Sequence, residues 1–108
     1  MPIETSPETL TLPPSLSIRG IGDVHDMLLS RLFESRNVVV DIPGDAETDL
    51  SFVQLMESSR LYAQTHGKTV ALKNPATGRL LETLRRGGFL TDMDGASRLF
   101  WLHGKEIQ

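Results

Sequence analysis

A run of five residues, Val38, Val39, Val40, Asp41 and Ile42, most constrains what this chain can fold into. Continuous apolar character with β-branched residues suits a strand buried on both faces, as in a parallel sheet. Pro43, Gly44 and Asp45 end it. Asp49 then offers a carboxylate to the free backbone N–H groups of Ser51 or Phe52, so it reads as a helix N-cap. Phe52, Leu55, Met56, Ser59 and Ala63 fall on one helical face, with Val53 beside it. Gly67 can take the left-handed conformation that closes such a helix. Thr69 to Leu72 reads as a second short buried strand.

The flanking segments extend this alternation. Four prolines, Pro2, Pro7, Pro13 and Pro14, fall within the first 14 residues, which disfavours long central strands there. Residues 9–12 alternate with period two and read as an edge strand. Ser17 is the expected N-cap of a helix over 18–35, whose face is Ile18, Ile21, Val24, Leu28 and Leu32. Gly20 and Gly22 weaken its first turn. Asn74 and Pro75 together form a start signal for a helix over 75–86, with Ala76, Leu80, Leu81 and Leu84 on its buried side. Arg85 and Arg86 lie at the end that favours cations. Residues 97–102 are ambiguous. The aromatic-rich Leu99, Phe100, Trp101 and Leu102 favour a strand. Strands alternating with helices give an α/β layer architecture with right-handed crossovers. The expected fold is one domain over 1–108: a mixed central sheet flanked by helices, an N-terminal extension or edge segment at 1–8, and a less defined segment at 91–108.

Composition narrows the chemistry. With 108 residues the chain is one domain, long enough to bury a core without disulfides or metal. It has no cysteine, which excludes thiolate catalysis and zinc–thiolate sites. A net charge of −3 argues against a nucleic-acid surface. No apolar run approaches the roughly 20 residues of a membrane helix, and the N-terminus lacks a signal core, so a cytoplasmic domain is expected.

Few residues assemble into a catalytic or binding motif. His25, His66 and His103 share no metal spacing. His25 reads as a helix-surface residue and His66 as a partner of a helix C-terminus. Gly67, Lys68 and Thr69 imitate the tail of a P-loop. The earlier Gly is replaced by Tyr62, and the strand–helix order is reversed. Gly20 and Gly22 are too few for a dinucleotide fingerprint. Arg79, Arg85 and Arg86 form a small basic patch of the kind usually left to solvent. No nucleophile–base pair or carboxylate pair is defensible, so neither a catalytic residue, a cofactor nor a metal is expected.

In order and spacing, these elements resemble the STAS domain family, named for sulfate transporters and anti-sigma-factor antagonists. The likeness covers roughly residues 10–90. It rests on Leu16-Ser17-Ile18, Val40-Asp41-Ile42, Asp49, Gln54-Leu55-Met56, Gly67-Lys68, Asn74-Pro75 and Gly88-Phe89-Leu90. Bacterial regulatory members usually carry Ser or Thr, their phosphorylation site, where this chain has Leu50. They usually carry Gly where it has Phe52. The resemblance implies a non-catalytic module that docks a kinase-like partner, an anti-sigma factor or a sensor or chemotaxis kinase, without the usual switch. Asp49, Leu50, Ser51, Phe52 and Val53 are then the expected partner-binding residues, in a monomer or weak homodimer. Ser51 is the nearest candidate for phosphorylation, with Thr48 behind it. A phosphate there would meet free helix N–H groups, but Asp41, Asp45, Glu47 and Asp49 oppose it. The competing view makes Ser51 an unmodified first-turn residue, Phe52 core and Leu50 scattered surface. The alternative function is a cytoplasmic structural subunit of a transporter assembly, such as a lipid-transport system.

Overall fold

The computed structural model describes residues 8–104. Residues 1–7, most of the expected N-terminal extension, and 105–108 lie outside them. Three parallel strands form the central sheet in the order β1 (Glu8–Thr11), β3 (Asn37–Asp41), β5 (Thr69–Leu72). A second parallel pair, β2 (Ser15–Leu16) and β4 (Glu47–Thr48), joins the loops that follow β1 and β3. The helices are α1 (Ile21–Glu34), α2 (Leu50–Thr65), α3 (Gly78–Arg86) and α4 (Gly95–Leu102). The chain is thus a compact α/β domain. Every strand pairing among the described residues is parallel, which corrects the expected mixed sheet.

Register sets which residues reach the core. Leu10 pairs with Val40, and Val40 with Leu72, so these three lie in one row. All three are buried, as is Val38. Alternation sends Thr9, Thr11, Val39 and Ala71 to the opposite face. There Thr9, Thr11 and Ala71 are exposed and Val39 is half-buried. The sheet is therefore covered on one face, not on two as the apolar run suggested. β5 is an edge strand with Thr69 and Ala71 exposed, not a buried one. Inside the covered face sit Val24, Leu28 and Leu32 of α1 and Phe52, Val53, Met56 and Ala63 of α2, with Leu84 of α3.

The helices start where their backbone is free to turn. Ile18 and Gly20 lie before α1, so Ser17 is not its cap, and Gly20 serves without a side-chain bond. α2 spans the expected residues. Its buried face holds Phe52, Val53, Met56, Ser59 and Ala63, whereas Leu55 is half-buried. At its C-terminus His66 Nδ1 donates to the Tyr62 carbonyl at 2.8 Å, and Gly67 has φ +68°.

The largest departure is α4. Residues 97–102, expected as a strand, are helical. Asp94 accepts from Ser97 N at 2.7 Å, and Phe100, Trp101 and Leu102 are buried. Trp101 Nε1 donates to Glu57 on α2 at 2.7 Å, so the buried ring keeps its polar atom satisfied. Arg60 donates to the same carboxylate at 2.8 Å and lies over the Phe100 ring at 4.9 Å. α4 also explains the late start of α3. Ala76 gives its N–H to the Trp101 carbonyl at 2.8 Å, which holds the chain after Asn74 and Pro75 out of helix until Gly78.

Candidate functional site

The first turn of α2 is built by one carboxylate. Asp49 Oδ1 accepts from Ser51 N at 3.0 Å and from the Ser51 hydroxyl, the cap bond expected of this residue. Asp49 Oδ2 accepts from Ile18 N at 2.9 Å, across 31 residues. The β2–β4 pair brings these two loops side by side, with Glu47 N donating to the Pro14 carbonyl at 2.8 Å. Partial desolvation raises the Asp49 pKa. The bonds from the Ser51 hydroxyl, Ile18 N and Ser51 N outweigh it, and on balance the Asp49 carboxyl is held below its ordinary range.

The expected partner-binding residues divide into surface and core. Phe52 and Val53 are fully buried, so they support the turn from beneath and cannot meet a partner. Asp49 and Ser51 are half-buried and bonded to each other. Leu50 is 46% exposed. It lies over Gly87, just beyond α3. A β-carbon at Gly87 would meet Leu50 Cδ2 at 2.6 Å and the Phe89 ring at 2.9 Å. Leu50 and the half-buried Phe89 thus share one spot, and Gly87 leaves room for both. Ile18, whose N–H the Asp49 carboxylate accepts, is 64% exposed.

Ile18, Gly87 and Phe89 were not among the expected site residues. Nothing local in the sequence signals that the backbone of Ile18 completes the coordination of a carboxylate 31 positions on. The Gly87-Gly88-Phe89 stop was legible, but only as the end of α3.

The polar groups of the turn are bonded to one another. Its one carboxylate is held by three donors, and its one hydroxyl donates to that carboxylate. Thr48 and Thr83, just behind, bond each other at 2.8 Å. Among the described residues no group of three or more His, Asp or Glu could hold a metal ion. No described helix is long and apolar enough to cross a membrane. What the turn offers is an exposed Leu50 next to a fixed carboxylate that also holds the backbone of exposed Ile18. Comparison with family models, curated proteins and solved structures returns no match for this chain.

Proposed function

We propose that this domain is a non-catalytic regulatory docking module of the anti-sigma-factor antagonist type that its sequence resembles. Its docking surface is Ile18, Leu50 and Phe89 around Asp49, its partner is a kinase-like signalling protein, and its setting is the cytoplasm. The observation that carries this reading is the exposure of Leu50 on a rigid first turn. Apolar side chains held in place at the surface are what protein interfaces use as anchors. Control of docking does not pass through Ser51. A phosphate on its hydroxyl would sit against the Asp49 carboxylate and remove a donor from the cap.

The test begins with a photo-crosslinker in place of Leu50, and at the exposed Leu61 as control, to identify the partner in extract of the native cell. Calorimetry with that partner then compares wild type with Leu50→Asp. The new carboxylate lies in the first turn, where the helix dipole favours it, so folding survives. Affinity is expected to fall at least about tenfold, because a charge must be desolvated in an apolar contact. Unchanged affinity in a folded variant would refute the docking surface. Stoichiometric phosphate on Ser51 in protein from the native cell would refute the unphosphorylated mode of control.

A further inference from the structure

We propose that the free edge of β5 takes an extended segment of a partner protein as a fourth strand of the central sheet. This site shares no residue with the Leu50 surface. The register fixes which backbone groups face outward. Thr69 N donates to the Arg36 carbonyl and Lys73 N to the Val40 carbonyl, both at 2.9 Å, so Thr69, Ala71 and Lys73 spend their backbone groups on the β3 side. Strand alternation turns the N–H and C=O of Val70 and Leu72 the other way. His103 Nε2 donates to the Leu72 carbonyl from that outer side, at 2.9 Å. The N–H and C=O of Val70 and the N–H of Leu72 have no partner among the described residues.

A donor, an acceptor and a second donor at strand spacing are what another extended backbone satisfies. β5 itself carries neither a charge nor a proline, the usual devices that close an edge. The opposite edge, β1, lies between Pro7 and Pro13. A groove of about 340 Å³ runs between Val70 and α4, lined also by Ala63 of α2 and by Ala96, Leu99 and Phe100 of α4. The bond from Trp101 to Glu57 ties α4 to α2, so α4 continues the helix layer beyond the last strand. Leu99 is 66% exposed there. A strand laid along β5 sets every second side chain over Ala96 and Leu99, so those positions of the segment are apolar.

Charge does not select the occupant. Both cations of the groove are engaged, Arg60 with Glu57 and Ser97, and Lys68 with the Leu32 and Phe33 carbonyls. Backbone bonds and apolar contact define it instead. The helix layer also argues against a second copy. Antiparallel pairing of two β5 edges needs a twofold normal to the sheet. The copy would then bring its own α2 under its β5, on the side where α4 of the first chain already lies. A separate strand, with no helix beneath it, fits over α4 without that conflict.

The test uses the full chain, isotope-labelled for amide shifts and amide exchange. The probe is a blocked heptapeptide of alternating Val and Thr. A twin is N-methylated at two adjacent central residues, which removes a donor from whichever edge it presents. The probe is expected to shift the amides of Val70 and Leu72 and to slow their exchange. The twin is expected to bind at least about fivefold more weakly. Val70→Pro deletes an outward N–H that the sheet does not use, so the fold tolerates it and binding is lost. Leu99→Ser, at an exposed position, weakens binding at least about threefold, whereas Leu61→Ser on the outer side of α2 leaves it unchanged. Should Val70→Pro unfold the domain, the twin and Leu99→Ser read the same edge. No shift at millimolar probe, equal binding of the twin, or no effect of either variant would overturn the proposal. Slow exchange of Val70 and Leu72 in the free monomer would do so too, because the edge would already be covered. So would a dimer seen by sedimentation that Val70→Pro abolishes, because the occupant would then be a second copy.

Discussion

α2 and α4 both begin at an aspartate, and the two aspartates do different jobs. Asp94 accepts from Ser97 N, so its hydrogen bond stays within its own first turn. Asp49 caps α2 in the same way and also takes the N–H of Ile18, so it fixes the distance between two distant loops. The helices differ in what holds them. α2 has 16 residues and a continuous buried face. α4 has eight, too few to persist alone in water, and depends on the seating of Phe100, Trp101 and Leu102. A cap with tertiary reach belongs here to the helix that anchors the fold. A cap of local reach belongs to the helix that the fold anchors.

Removing what seats α4 has the largest expected effect. Trp101→Ala empties a fully buried site and leaves Glu57 without the indole donor. Loss of a large buried aromatic costs about 3–5 kcal/mol, a large share of the roughly 5–15 kcal/mol a domain has. Urea unfolding should show it, with amide exchange speeding most in α4 and at Ala76. Equal exchange across α2 and α4 in this variant would erase the distinction between them. Leu84→Ala, also fully buried, belongs in the same range at about 2–5 kcal/mol, whereas exposed Arg79→Ala should hardly move the melt. Val39 and Leu55, placed by the sequence in a buried strand and on a helical face, are half-buried and should cost less.

The caps come next. Asp49→Ala should cost about 0.5–2 kcal/mol, at the upper end because the Ile18 N–H loses its acceptor too. Asp94→Ala should cost clearly less, since Asp94 is fully exposed and bonds only locally. Paired thermal melts decide it, and the reverse order would sink the claim that Asp49 acts across the fold.

The smallest effect is in acid. The folded pKa of Asp49 lies below 3.8, so the unfolded chain takes up its proton first as pH falls. Its contribution is complete above the unfolded value and is lost as pH drops through the folded one. Asp49→Asn should therefore flatten the stability curve as pH falls through and below the ordinary carboxylate range. A wild-type acid limb in that variant would show that the carboxylate charge is not what the loops hold.

Much of this was readable from local patterns. α2 was legible from end to end because each signal is short-range: Asp49 at its start, a period-3.6 face, and Gly67 at its close. β5 was legible in extent but not in burial, since an edge strand and a central one share composition. α4 was missed because Phe100, Trp101 and Leu102 are buried in succession, which fits neither period, and aromatic content tipped the reading toward strand. Asp94 with Ser97 three residues on was the available signal. The late start of α3 followed from the same omission, because the Trp101 carbonyl that claims the Ala76 N–H belongs to α4. In the candidate site, the departure at Leu50 was visible at once. The burial of Phe52 was legible on the helical face, whereas the burial of Val53 and the approach of Ile18 were not, because they depend on partners tens of residues away.

The parallel sheet has a consequence in time. Each pairing in the central sheet joins residues about thirty positions apart, with a helix between. No hairpin exists among them to form early and template the rest. Every strand must wait for a loop of that length to close, a cost in chain entropy that precedes any reward. Helical segments, which relax in about a microsecond, therefore have time to form before the strands meet. The refolding rate of this small domain is expected to follow how quickly α1 and α2 collapse together and carry the strands at their ends into register.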